Sequence, residues 1–199
     1  MIAERILAVG THPDDVFLSI GGFLKNQIKE GAEVTILDAY GDEKRAQEGV
    51  AYAASIKAIQ YINLGLKESG SPSEYPVQSI QGVTLNKVLS LINISDLVLL
   101  PLGLVHEEHI MISRQLTFVC KSLEANYAYY LDQPYALMQK NQEEVEARLE
   151  GRTIMHYVRP HASKYNAAKL FKSQSLFMYY NREKFTDIFE LIVSSGRVT

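Results

Sequence analysis

The sequence predicts an α/β fold of the Rossmann-like type: three layers, α/β/α, around a mostly parallel sheet whose strand order begins 3-2-1-4. Three observations carry that expectation. From the N-terminus to Pro101, short β-branched runs alternate with longer segments of helical period, the pattern of consecutive βαβ units. After Asp96 the run Leu97-Val-Leu-Leu100 is continuously apolar, as strands covered on both faces are. The chain has 199 residues, 47% hydrophobic and 22% charged, which suits one globular domain spanning 1–199.

Each element has its own signal. Ile6 to Gly10 reads as the first strand. Phe17, Ile20, Leu24 and Ile28 recur at helical spacing, and Gly31 follows where a C-terminal cap belongs, giving the first helix. Val34 to Asp38 is a second strand, Glu43 to Ile59 an alanine-rich second helix, and Tyr61 to Leu64 a third strand. Residues 65–81 contain Gly65, Gly70, Pro72 and Pro76 and read as a long, substrate-facing loop. Leu85, Val88, Leu89 and Ile92 mark a third helix, and Pro101 ends the strand that follows. Beyond Ile110 the expectation is a helix to about Leu123, a tyrosine-rich extended stretch to Tyr135, a charged helix from Gln142 to Leu149, a strand from Thr153 to Val158, and two closing helices. No repeat or linker interrupts the chain.

Composition removes several function classes. A net charge of −3 and a pI near 6.0 argue against a nucleic-acid partner, which would call for a basic face. A single cysteine, Cys120, excludes an intramolecular disulfide and a thiolate metal site, and within its apolar stretch it reads as a small buried hydrophobe. No window approaches the roughly 18 uninterrupted apolar residues of a membrane span, and Ile6 to Val9 is too short for a signal peptide. The expected compartment is the cytoplasm.

The chemistry gathers in two loops. Gly10-Thr-His-Pro-Asp-Asp15 follows the first strand, and Leu100-Pro-Leu-Gly-Leu-Val-His-Glu-Glu-His109 follows the fourth. In the 3-2-1-4 order those strands are neighbours, so both loops open at the edge where such sheets bind ligands. A His and a carboxylate from one loop with a His from the other make three ligands and an open fourth position, the arrangement of a catalytic metal. His106 and His109, three apart at a helix entrance, would share one helix face. Each residue also has an ordinary reading, Asp14 or Asp15 as a helix N-cap above all. Three of only five histidines in loops that the topology joins favours the metal site. His156 and His161 read as structural. His-Glu-Glu-His is one residue too short for the zinc helix of metalloproteases, and Gly21-Gly22 lacks the dinucleotide spacing and reads as a place of close helix packing. The tyrosines at 127, 129, 130 and 135 suggest a strand and a pocket wall, without a catalytic role.

These residues resemble the PIG-L/LmbE family of zinc-dependent deacetylases, which act on N-acetylglucosamine-type substrates. The family pattern Ala-His-Pro-Asp-Asp-Glu followed by Gly-Gly appears here with Thr11 for the Ala, Val16 for the Glu, and Gly21-Gly22 in place. Arg45 with Glu48, Leu64-Gly65, Tyr129 to Tyr135 and Ser173-Gln174 are similar to later family segments. The resemblance implies zinc ligands His12, Asp15 and His109, Asp14 as general base, and His106 at the oxyanion or the leaving amine. It also implies a substrate contact for Arg45, whose ordinary reading is an exposed helix Arg paired with Glu48 or Asp42. Glu108 stands where the family commonly has Asp, and would tune His106. Leu104 replaces a tyrosine that some relatives use in catalysis.

The resulting expectation is a metal-dependent hydrolase that removes an N-acetyl group from an amino sugar or its conjugate. Zn2+ is the expected ion, with Fe2+ the alternative for the same donors. Two other readings stand beside it: a metal amidase on a non-sugar amide, and a non-catalytic Rossmann-like protein with nucleotide affinity and no zinc. The partner is a small-molecule substrate, and the oligomeric state stays open, a homo-oligomer included.

Overall fold

Strand β1 (Arg5–Gly10) sends Ile6 and Ala8 to one side and Leu7 and Val9 to the other, and all four are buried. A strand that is apolar on both faces needs helices on both. The computed structural model describes residues 3–68, 77–158, 170–174 and 190–197. In it, Ile6 and Ala8 share a core with α1 (Asp15–Lys29) and α2 (Glu43–Ile56). Leu7 and Val9 share the other with α3 (Gly82–Ile94) and α4 (Glu107–Ser122), where Cys120 is buried as expected.

Strands β2 (Glu33–Tyr40), β3 (Gln60–Leu66), β4 (Leu97–Pro101) and β5 (Tyr127–Tyr130) complete a parallel array in the order β3-β2-β1-β4-β5. The expected 3-2-1-4 order is present, with Ile6 beside Leu97 and Ala8 beside Leu99. The second helix stops at Ile56, short of the expected Ile59. Lys57 turns left-handed, and the Ile59 amide already donates to Val34 as the chain enters β3.

After α5 (Gln142–Leu149) come β6 (Arg152–Val158) and β7 (Glu190–Arg197), and β7 lies between β5 and β6, antiparallel to both. The stretch expected to form closing helices includes residues 159–169 and 175–189, which lie outside the described residues together with His161. Residues 190–197 are a strand instead. Leu191, Ile192 and Val193 are consecutive and all buried, with Ile192 in one core and its neighbours in the other, which a helical stripe cannot achieve. His156 on β6 sets its ring edge-on to Phe23 at 4.6 Å, a packing contact.

Helix α1 is broken at Ile20 (φ −140°, ψ 17°). The amides next in line, Gly22 and Phe23, donate to the two carboxylate oxygens of Glu190 at 2.7 Å each, so β7 caps the second half of the helix. A Cβ at Gly22 would stand 2.9 Å from Glu190 Oε1, and one at Gly21 would stand 2.7 Å from the Tyr52 hydroxyl. The glycine pair serves close packing of α1 against α2 and β7. No helix among the described residues is long and apolar enough to cross a membrane.

Candidate metal centre

Because β1 and β4 are parallel neighbours, the loops leaving their C-terminal ends meet. His12, Asp15 and His109, all buried, offer ligand atoms that lie within 4.8 Å of one another. Asp15 Oδ2 accepts the His12 amide at 2.8 Å and lies 3.5 Å from His12 Nδ1 and 3.4 Å from His109 Nε2. His109 is wholly buried, with Nδ1 bonded to Asp132 Oδ1 at 2.8 Å and Nε2 without a hydrogen-bond partner among the described residues. A proton on Nδ1, given to the carboxylate, leaves the lone pair on Nε2 directed at the cluster. An orphaned buried nitrogen beside a carboxylate and a second imidazole fits a divalent cation.

Asp132 is the site residue that sequence reasoning missed. It ends the stretch after β5, the strand beside β4, and so follows from the same topological argument that paired the two histidine loops. Its Oδ2 also accepts the amides of Gly103 (2.8 Å) and Leu104 (3.3 Å), which fixes it against the loop leading to α4. Asp132→Asn should therefore keep the fold and weaken metal binding by about 10- to 100-fold, measured by competition with a chromophoric chelator.

His12 turns Nε2 to Glu108, at 2.8 Å, and this is where the carboxylate expected to tune His106 is found. The physical reason lies at the start of α4. His106 is its N-cap, with an extended backbone (φ −79°, ψ 135°), so His106 and His109 do not share a helix face in the expected sense. The His106 ring is exposed at the cavity mouth, 5.9 Å from that of His109 and 5.0 Å from that of Tyr135. Leu104 is buried in the core on the α3 and α4 side, and the tyrosine that does line the cavity is Tyr135.

Asp14 occupies the N-cap position of α1, yet its side chain makes no cap. It accepts instead from Arg45 Nη2 at 2.7 Å, while Arg45 Nη1 donates to Glu68 at 2.6 Å. The side-chain pairing of Arg45 with Glu48 or Asp42 is not present. Asp42 caps the Arg45 amide, and Glu48 holds the amide and hydroxyl of Ser173. His12, Asp14, Asp15, Arg45, His106 and Tyr135 thus share one cavity of 230 Å3.

No family model matches the sequence, and no curated protein does. Solved structures do. The zinc-inhibited form of teicoplanin deacetylase is 13% identical, with a TM-score of 0.67 over 96% of this chain and 97% of that one. N,N'-diacetylchitobiose deacetylase from Pyrococcus horikoshii is 15% identical, with a TM-score of 0.52 over 96% and 84%. This chain has the LmbE/PIG-L-like deacetylase fold. GalB, the 4-carboxy-2-hydroxymuconate hydratase of Pseudomonas putida, also aligns, at 12% identity and a TM-score of 0.62 over 98% of both chains. A hydratase among the matches means that the LmbE/PIG-L-like fold does not by itself choose the reaction.

The electrostatics of the cluster have a measurable consequence. Burial works to lower the pKa of His12, but its hydrogen bonds with Asp15 and Glu108 outweigh this and carry it up to about 10. Burial also opposes the charged form of His109, and the Asp15 charge and the Asp132 hydrogen bond overcome it. Asp15 is driven the other way, well below the usual carboxylate range: burial resists ionisation, and the charges and bonds of His109 and His12 win. Without a cation the imidazoles therefore hold protons that a cation must displace. Below a pH of about 10 the proton on His12 competes, so metal affinity should rise with pH across neutrality, by roughly tenfold per unit for each proton released. Calorimetry in buffers of different ionisation heat counts those protons, with at least about one per metal expected at pH 7.

Proposed function

We propose that this protein is a metal-dependent N-deacetylase, a hydrolase removing the acetyl group of an N-acetylglucosamine-type amino sugar or its conjugate. The carrying observation is the buried His12, Asp15 and His109 cluster, with His109 Nε2 free of hydrogen bonds among the described residues, in a fold shared with deacetylases of teicoplanin and diacetylchitobiose. His12, Asp15 and His109 would hold the ion. Zinc suits two imidazoles and a carboxylate without thiolate, and Fe(II) takes the same set. When bound, the ion supplies Lewis acidity that polarises the amide carbonyl and acidifies water.

The remaining work belongs to the chain's own side chains. Asp14 takes the proton of the attacking water as general base. Burial and the neighbouring Asp15 raise its pKa against the pull of Arg45, which makes it a stronger base than an exposed aspartate. Arg45 on Oδ1 fixes the carboxylate and leaves Oδ2 for the proton. Arg45 also lines the cavity, so a substrate contact remains part of its role. His106 donates a hydrogen bond to the developing oxyanion. Partial burial and the neighbouring imidazoles lower its pKa, so the ring is neutral at pH 7, and the proton collected by Asp14 is the one available to the leaving amine. A cytoplasmic location and a small-molecule partner complete this reading.

Acetate release from N-acetylglucosamine conjugates, against N-acylated non-sugar amines, tests the proposal. Metal is titrated up from substoichiometric amounts, since zinc gives an inhibited form of the teicoplanin deacetylase. Release from the sugars is expected, and release from the non-sugar amides alone would make the protein a metal amidase. No acetate from any substrate overturns the deacetylase reading. His106→Ala should keep its metal and lose kcat by about a hundredfold or more.

A further inference from the structure

The flank of the sheet beyond the metal centre carries a second pocket. Between α4, α5 and the start of β6 lies a groove of 270 Å3, lined by Arg114, Lys121, Arg148 and Arg152 among others. It shares no lining residue with the metal-centre cavity. Among the described residues its lining is cationic and holds no carboxylate, in a chain whose net charge is −3.

The groove is held in place. Arg152 donates from Nε to the Arg148 carbonyl at 2.9 Å and from Nη1 to the carbonyls of Ser194 (2.8 Å) and Ser195 (3.0 Å). Its guanidinium lies 4.5 Å over the Tyr129 ring, and the Tyr129 hydroxyl is tied to Thr117 Oγ1 at 2.7 Å. Nη2 of Arg152 has no hydrogen bond among the described residues. Arg148 is paired with Glu144 at 3.4 Å, whereas Arg114 and Lys121 are exposed and have no ion pair among the described residues. Phe118 stands at the rim, 72% exposed.

Arg114, Lys121 and Arg152 have no carboxylate partner among the described residues and repel one another, and a multiply charged anion relieves that repulsion. A guanidinium already fixed on an aromatic face loses little freedom when it takes phosphate oxygens. The exposed ring of Phe118 offers an apolar surface beside the charges, which suits a ligand with an organic part. We propose that this groove binds a phosphorylated small molecule, its phosphate held by Arg114, Lys121 and Arg152 and its organic part laid on Phe118.

Calorimetry on the full chain, with EDTA present so that no metal serves as the phosphate receptor, tests this with inorganic pyrophosphate and ADP. Both are expected to bind, ADP more tightly. The double variant Arg114→Ala/Lys121→Ala changes two exposed side chains, so its circular dichroism and Tm should stay as in the wild type while both affinities fall by roughly tenfold or more. Phe118→Ala should weaken ADP and leave pyrophosphate unchanged. Absence of binding by the wild type, or a double variant that binds as well, overturns the proposal. An unchanged ADP affinity in Phe118→Ala overturns the placement of the organic part. Sedimentation with phosphatidylglycerol vesicles, without affinity for either soluble phosphate, would make the groove a membrane-surface patch and likewise overturn it.

Discussion

Asp14→Asn retains its metal and its fold and loses roughly a thousandfold in kcat, within the range that removing a general base costs. The amide keeps the shape of the carboxylate, and its oxygen can still accept the Arg45 hydrogen bond now made at 2.7 Å. What it cannot do is take a proton at neutral pH. Asp15→Asn gives the opposite pattern. Its carboxylate faces both imidazoles, and without that charge the ligand cluster loses its only anion, so metal affinity falls first and activity follows. Metal content and acetate release are measured on the two variants together, with circular dichroism as the check on folding. Metal lost from Asp14→Asn and kept by Asp15→Asn would exchange their roles, and full activity in both would sink the mechanism.

His109→Ala lowers metal content from about one ion per chain to background, measured by elemental analysis after exhaustive dialysis. The ring is wholly buried and its Nε2 has no hydrogen-bond partner among the described residues, so the substitution leaves the cluster one imidazole and one carboxylate, His12 and Asp15. Folding should survive, because Asp132 keeps the amides of Gly103 and Leu104 when the imidazole is gone. The variant's Tm falls, in line with the cavity left by a deleted core side chain. Equal metal in the variant and the wild type would remove His109 from the ligand set.

The parallel half of the fold was legible because its strands are covered on both faces. Leu97 to Leu100 shows as an apolar run and Val34 to Leu37 as a mostly β-branched one, and the helices between them show as stripes. Once β1 and β4 are neighbours, His12 and His109 meet without further information. Partners chosen by side-chain direction were harder to read. Glu108 could turn toward either imidazole, and only the extended N-cap at His106 decides that it meets His12. Asp132 reaches His109 across 23 positions with no local signal of the pairing. Strand β7 was hardest, because antiparallel insertion between β5 and β6 depends on long-range contacts that leave no short periodic trace.

That insertion also sets an order of assembly. During synthesis β6 leaves the ribosome well before β7, yet among the described residues its one neighbour in the sheet is β7, which lies between it and β5. Until then β5 is an open edge able to pair with a neighbouring chain. The Glu190 carboxylate that caps the broken α1 arrives with that same strand. A nascent chain stalled before residue 190 therefore carries the metal-binding loops on a helix that lacks its Glu190 cap, beside an unpaired edge at β5, and strand β7 supplies the cap and covers that edge together.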